Sequence, residues 1–306
     1  LKFYFEKILK LKAQEEVDED LAANEEGNIF HSFMAHLYSK EDVLDENKCI
    51  DTKKLKAFIE NKKDFIYQYV ENEIKNLFIG EYNNKLEITK RVLAYDIIKL
   101  LEKEIKAIGN KKIKIIYTEN EKNKDNKNSD TIHLETNYGK VELSGFIDRI
   151  DYVLNENLYR IVDYKSSFKN NKNSSKDVLI FKDSQLDDLI NDKNYIKEKE
   201  KLNQLLFYIL YAKNKNLISH FEKISGVIIP LRMSEKSDEL YQNVLFNGKN
   251  FFTKDETNKI EEFFAGIFNE IIFNKEMDIK QTDDTYTCNY CDFKYICKKE
   301  VKEYNS

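Results

Sequence analysis

Two aspartates and a lysine hold the chemistry that this sequence can do. The stretch 141–167 reads VELSGFIDRIDYVLNENLYRIVDYKSS. It contains two strand-like runs, with Asp148 near the end of the first and Asp163, Tyr164 and Lys165 at the end of the second. A polar connection of Asn155, Glu156 and Asn157 separates them. Two adjacent strands would bring two carboxylates and an amine to one edge of a sheet. Residues two apart in a strand share a side, so Asp163 and Lys165 face the same space. Carboxylates held that close repel unless a cation lies between them, and oxygen donors favour Mg²⁺ or Mn²⁺. The peptide carbonyl of Tyr164 would be a further ligand. Such an ion would polarise a phosphoryl oxygen and acidify water, while Lys165 stabilises developing charge or orients the water. The pattern D-x₁₄-D-x-K is a minimal kit for cleaving a phosphodiester. Alone, it describes a surface ion pair on a hairpin equally well.

Three further groups have suitable types and spacing. Gly27 leads into NIFHSFMAHLYSK, an amphipathic helix pattern through Ile29, Phe30, Phe33, Met34 and Leu37, with His31 one turn after the glycine. An imidazole there can be a metal ligand or simply a core-edge histidine, and His36 should point elsewhere. Gln204 and Tyr208 are four apart in the apolar helix pattern LNQLLFYILYAK and share a face, which either lines the site or packs in the core. Glu119 ends a strand-like run and either approaches the site or, the commoner case, is a solvated glutamate; Ser166 and Ser167 either donate to a phosphate or begin a loop. Cys288, Cys291 and Cys297 form C-x₂-C-x₅-C, a spacing that favours zinc or an iron–sulfur cluster over a disulfide framework. Cys49 is the remaining cysteine.

The elements that must position these residues follow from periodicity. Residues 1–12 have helical spacing, and 15–26 form an acidic loop before Gly27. Residues 40–110 are all-helical, with apolar runs at 53–78 and 86–108 punctuated by Gly80 and Gly109. The texture then changes. Residues 113–118 and 131–136 read as strands, a polar loop lies between them, and Tyr138 with Gly139 suits a hairpin turn. Residues 166–201 read as a long insertion near the site, a lid or strand guide, with a short helix at 184–190. Strands follow at 224–231 and 241–246, a helix at 254–274, and then the cysteine tail.

Composition bounds the classes. The chain has 306 residues, 41% of them hydrophobic, enough for one large core or two smaller ones. A net charge of −5 lacks the overall basic excess of many nucleic-acid binders, but a local basic channel is compatible with it. No apolar run approaches the roughly 20 residues of a membrane span, and the first segment is no signal peptide. The first residue is Leu1, which suggests a fragment or a processed product. No G-x-x-x-x-G-K-[ST] motif occurs, so ATP hydrolysis is not expected.

Taken in order, G-x-x-x-H at 27–31, G-F-I-D-R-I-D at 145–151, D-Y-K at 163–165, Q-x-x-x-Y at 204–208 and the cysteine trio make the chain resemble the PD-(D/E)XK nuclease superfamily. The likeness is to its RecB-like branch, and within it to the C-terminal nuclease domain of AddB-type helicase–nuclease subunits. The resemblance covers nearly the whole chain. It implies that His31, Asp148 and Asp163 are metal ligands and that Lys165 is the catalytic lysine. It further implies that Gln204 and Tyr208 contact the scissile strand or brace the lysine, with Arg149 and Asp151 in support. It implies a [4Fe–4S] cluster on Cys288, Cys291 and Cys297 with a fourth cysteine ahead of the first helix. This chain begins inside that helix-like stretch and Cys49 comes too late to match, so the cluster is expected to be absent or incomplete here.

The expected fold class is α/β, a restriction-endonuclease-like mixed central sheet flanked by helices, with an N-terminal helical region. The expected division is a helical region at 1–110 contributing His31, a nuclease core at 111–275 and a cysteine-rich tail at 276–306. The expected function is a cytoplasmic, Mg²⁺- or Mn²⁺-dependent DNA exonuclease processing double-strand-break ends with a partner subunit of AddA type. The alternatives are a stand-alone RecB-like iron–sulfur exonuclease of the CRISPR-adaptation type and a catalytically silent DNA-binding or assembly module.

Overall fold

A computed structural model describes residues 9–10, 23–77, 83–119, 131–167, 179–182, 199–218, 221–232, 240–272, 288, 291 and 293–297. Four helices open it: α1 (Ala23–Lys40), α2 (Thr52–Asn61), α3 (Lys63–Leu77) and α4 (Asn84–Ile108). The Asp51 side chain caps α2 by accepting from the Lys53 and Lys54 N–H groups, and Asn83 does the same for α4. Gly109, at φ 53°, ends α4.

Strands and helices then alternate. β1 (Ile113–Thr118), β2 (Thr131–Thr136), β3 (Gly139–Ser144), β4 (Arg149–Val153), β5 (Leu158–Ser167) and β6 (Ile180–Phe181) precede α5 (Glu200–Asn214). β7 (Lys223–Arg232), β8 (Gln242–Asn243), β9 (Leu245–Phe246) and β10 (Phe252–Thr253) lead to α6 (Thr257–Gly266). The main sheet runs β1-β4-β5-β7-β10, with β8 beside β7. Its β5–β7 pair is parallel and the others are antiparallel, so the sheet is mixed. β2 and β3 form a separate hairpin.

Two cores follow from strand alternation. On one face, Val162 and Tyr164 of β5 and Val227 and Ile229 of β7 pack against α1 to α4. On the other, Ile161, Ile224 and Ile228 meet α5 and α6. The sheet is thus covered on both sides, and β7, buried from Ile224 to Leu231, reads as a near-continuous apolar run for that reason. The first face also buries charge: Arg149, Asp151, Glu104 and Arg160 are each at most 4% exposed. Two cations and two anions balance there.

Several expectations need correction. α1 begins at Ala23 rather than at Gly27, because Glu25 and Glu26 in its first turn complement the helix N-terminus. The run at 53–78 is two helices, broken at Lys62, so that Leu55, Phe58 and Ile59 and then Ile66, Val70 and Ile74 each face the core. The first run of the central stretch is also two strands, β3 and β4, separated at 145–148. Asp148 therefore immediately precedes a strand instead of ending one. The strand at 241–246 is split into β8 and β9, and the helix at 254–274 starts at Thr257 and passes into a π-helical turn, Ile267–Ile272. Of the expected helix at 1–12 only Leu9 and Lys10 are described, and they are not helical, with Lys10 at φ 53°; the expected helix at 184–190 and the glycine at 80 lie outside the described residues. Among the described residues no helix is long and apolar enough to cross a membrane.

Candidate active site

Register decides the site. β4 pairs β5 with Arg149 opposite Val162, so Asp148 falls opposite Asp163 one step further along. β1 extends the row: the Glu119 N–H donates to the Asp148 carbonyl at 3.0 Å. α1 crosses this end of the sheet on one face and α5 on the other, and each contributes a polar side chain.

From α1, His31 Nδ1 lies 3.0 Å from Asp148 Oδ1. An imidazole that donates from Nδ1 keeps its lone pair on Nε2. Asp148 Oδ2 accepts the Tyr164 backbone N–H at 2.7 Å. On the α5 side, Lys165 Nζ straddles the Asp163 carboxylate, 3.2 Å from Oδ1 and 2.9 Å from Oδ2. It also donates to Gln204 Oε1 at 2.7 Å, and Gln204 Nε2 donates to the Tyr208 hydroxyl at 2.8 Å. A single chain of hydrogen bonds therefore links Asp163, Lys165, Gln204 and Tyr208.

Electrostatics mark the acid pair. Asp163 is 2% exposed. Burial, and then the charge of Asp148, push its carboxyl up to about 6 despite the Lys165 ammonium. For His31, burial works against the proton, but the hydrogen bond and charge of Asp148 outweigh it and the imidazole is raised. Burial raises the Tyr208 phenol, with the charges of Asp163, Asp148 and Glu119 adding to it.

Two carboxylates and an imidazole are the donor types that suit a hard divalent cation, and a single lysine leaves the acid pair short of positive charge. The groups do not form a ready-made cage. Among the described residues no three His, Cys, Asp or Glu side chains are gathered closely enough to hold a metal ion. His31 with Asp148, and Lys165 with Asp163, form two pairs that feel each other's charge.

The structure thus brings together His31, Asp148, Asp163, Lys165, Gln204 and Tyr208, with the Tyr164 main chain. It ties Glu119 to Asp148 through the backbone, so this residue does approach the site, the less common of its two sequence readings. Arg149 and Asp151 turn to the opposite face, as strand alternation requires. Glu104 is the partner that periodicity hides: it lies on the buried stripe of α4 among Leu100, Leu101 and Ile108, and a charged residue on such a stripe was the available signal.

The cysteines behave differently. Cys288, Cys291 and Cys297 are not joined in disulfides, and no group of three metal-ligating side chains is gathered among the described residues. The Cys291 N–H donates to the Cys288 carbonyl in a local turn. Cys49 is buried beside β1, and burial pushes its thiol up, the reverse of what a thiolate ligand requires.

A mixed sheet with helices on both faces and an aspartate pair at the meeting point of two central strands has the restriction-endonuclease-like architecture. The profile of the PD-(D/E)XK nuclease superfamily matches residues 1–298, and the chain belongs to that superfamily. No curated protein matches the chain.

Proposed function

We propose that this chain is a divalent-metal-dependent deoxyribonuclease centred on Asp148, Asp163 and Lys165. The observation that supports it most is the buried acid pair across β4 and β5, with the Asp163 carboxyl held near 6 beside the D-x-K lysine. Asp148, Asp163, His31 and the Tyr164 carbonyl would hold Mg²⁺ or Mn²⁺, which supplies Lewis-acid polarisation of the phosphoryl oxygen and activation of water.

The protein groups have separable roles. Lys165 places a positive charge where the pentavalent transition state gains negative charge, and its bond to Gln204 fixes its direction. Gln204 is held in turn by Tyr208. Burial, with the charges of Asp163 and Asp148 added, keeps the phenol protonated, so it can donate to a phosphate oxygen. His31 orients Asp148 and receives orientation from it.

Finer features rest on the motif resemblance: exonucleolytic action on unwound DNA ends, a role in double-strand-break processing, and an AddA-type partner subunit. A [4Fe–4S] cluster on Cys288, Cys291, Cys297 and a fourth cysteine rests on the same resemblance, since the spacing by itself suits zinc as well, and iron and sulfide content after anaerobic purification checks it. The direct test uses end-labelled linear and circular single-stranded DNA with Mg²⁺ or Mn²⁺. The expected result is cleavage of the linear substrate by wild type and a loss on the order of 100-fold or more in Lys165→Ala. Equal rates for the two proteins overturn the proposal; cleavage of circles overturns its exonuclease part.

A further inference from the structure

Asp148 is held from an unexpected direction. Its carboxylate accepts the Tyr164 N–H at 2.7 Å, and the Tyr164 side chain projects from the face of the sheet opposite to Asp163. There the phenol oxygen accepts from Arg149 Nη1 at 2.7 Å. Arg149 is the chain neighbour of Asp148. One dipeptide on β4 therefore grips one residue of β5 at both ends, by the Asp148 side chain on the main-chain N–H and by the Arg149 side chain on the phenol.

The grip is rigid. Arg149 is fully buried and fixed by Glu104 Oε1 at 2.8 Å and by Asp151, whose Oδ1 lies 2.8 Å from Nε. Its guanidinium lies 4.8 Å from the Tyr38 ring centroid and 5.6 Å from that of Tyr164. The Tyr164 ring stands edge-on to Phe30 and to His31, with centroids 5.2 and 6.0 Å away. A planar five-donor fork suits this arrangement and an ammonium does not. A buried ion pair adds little net stability, so its retention calls for another role.

We infer that Tyr164 and Arg149 are positioning residues: from behind the sheet they fix the backbone N–H that aims the Asp148 carboxylate and the ring against which His31 rests. This inference rests on the nuclease reading of the site. Carboxylate ligands are themselves hydrogen-bonded, and loss of such support costs about 10- to 100-fold in metal affinity or activity. Both side chains lie on the face of the sheet away from the Asp163–Lys165 pair.

The test compares wild type with Tyr164→Phe, which removes one oxygen and keeps the ring packing, and with Glu104→Gln, which keeps an acceptor for Arg149 but drops the charge. Three readouts are taken: amide hydrogen exchange in the metal-free protein, Mn²⁺ affinity by calorimetry, and kcat and KM on a single-stranded oligonucleotide. In Tyr164→Phe the amide of residue 164 should exchange about 10-fold faster while that of Val162 is unchanged, with Mn²⁺ binding and kcat each about 10-fold weaker and KM preserved. Glu104→Gln should show the same local pattern at smaller size. Wild-type values in both variants overturn the inference, as does faster exchange shared equally by residues 162 and 164, which would mark a purely structural role. A wild type that neither binds Mn²⁺ nor cleaves DNA overturns the nuclease reading and the inference with it.

Discussion

Asp163 shows what the site does to a single residue. Its carboxyl is raised to about 6, so the folded protein binds that proton more tightly than the unfolded chain does. Stability of the metal-free protein should therefore rise as pH falls from 7 through 6 toward 5. His31, also raised, adds in the same direction: its contribution is present at low pH and lost as pH rises through its folded value. Glu41, Glu71 and Glu256 are lowered from the ordinary carboxylate value of 4.5, and their contributions are lost only as pH falls through that value and below. Urea unfolding between pH 5 and 7.5 thus reports the site. Asp163→Asn should flatten this slope and stabilise the metal-free protein at neutral pH, while abolishing cleavage. A variant that is less stable than wild type at pH 7.5 would show that Asp163 is compensated there after all.

At the scale of elements, the β3–β4 connection sets where Asp148 points. A Cβ on Gly145 would lie 2.5 Å from the Phe207 ring of α5, which is inside contact distance. Gly145→Ala should cost about 1–3 kcal/mol through overpacking and reduce activity by displacing the connection. Phe207→Leu should restore part of both in the double variant, and thermal melts with parallel cleavage assays measure it. The break at 145–148 was not legible because β3 and β4 both read as alternating strand. Alternation states which face a residue takes and is silent on which sheet a strand joins. The row of Asp148 and Asp163 was legible, since the polar connection at 155–157 forces the two strands to be antiparallel neighbours. The helix division at Lys62 was hidden for a similar reason: both halves have helical apolar spacing, Ile59 and Ile66 are two turns apart, and only the Lys62 backbone, at φ −121° and ψ 28°, separates two helices.

Across the whole molecule, the buried charges join its parts. Glu104 of α4, Tyr38 of α1, Arg149 and Asp151 of β4 and Arg160 of β5 form one network beneath the helical layer. Glu104→Leu leaves Arg149 with less than its full set of partners and should cost about 3–5 kcal/mol, seen as a lower urea midpoint with unchanged slope. Helix spacing alone made the N-terminal layer look merely structural; its contact with Arg149, next in the chain to Asp148, links it to the site. That link, and the pairing of His31 with Asp148, make both faces of the sheet part of one centre. The most direct test of that centre is anomalous scattering from Mn²⁺ diffused into crystals of the wild-type protein. The strongest peak should lie within coordination distance, about 2 Å, of both the Asp148 and Asp163 carboxylates. A protein that cleaves DNA while its strongest peak lies elsewhere would contradict the account.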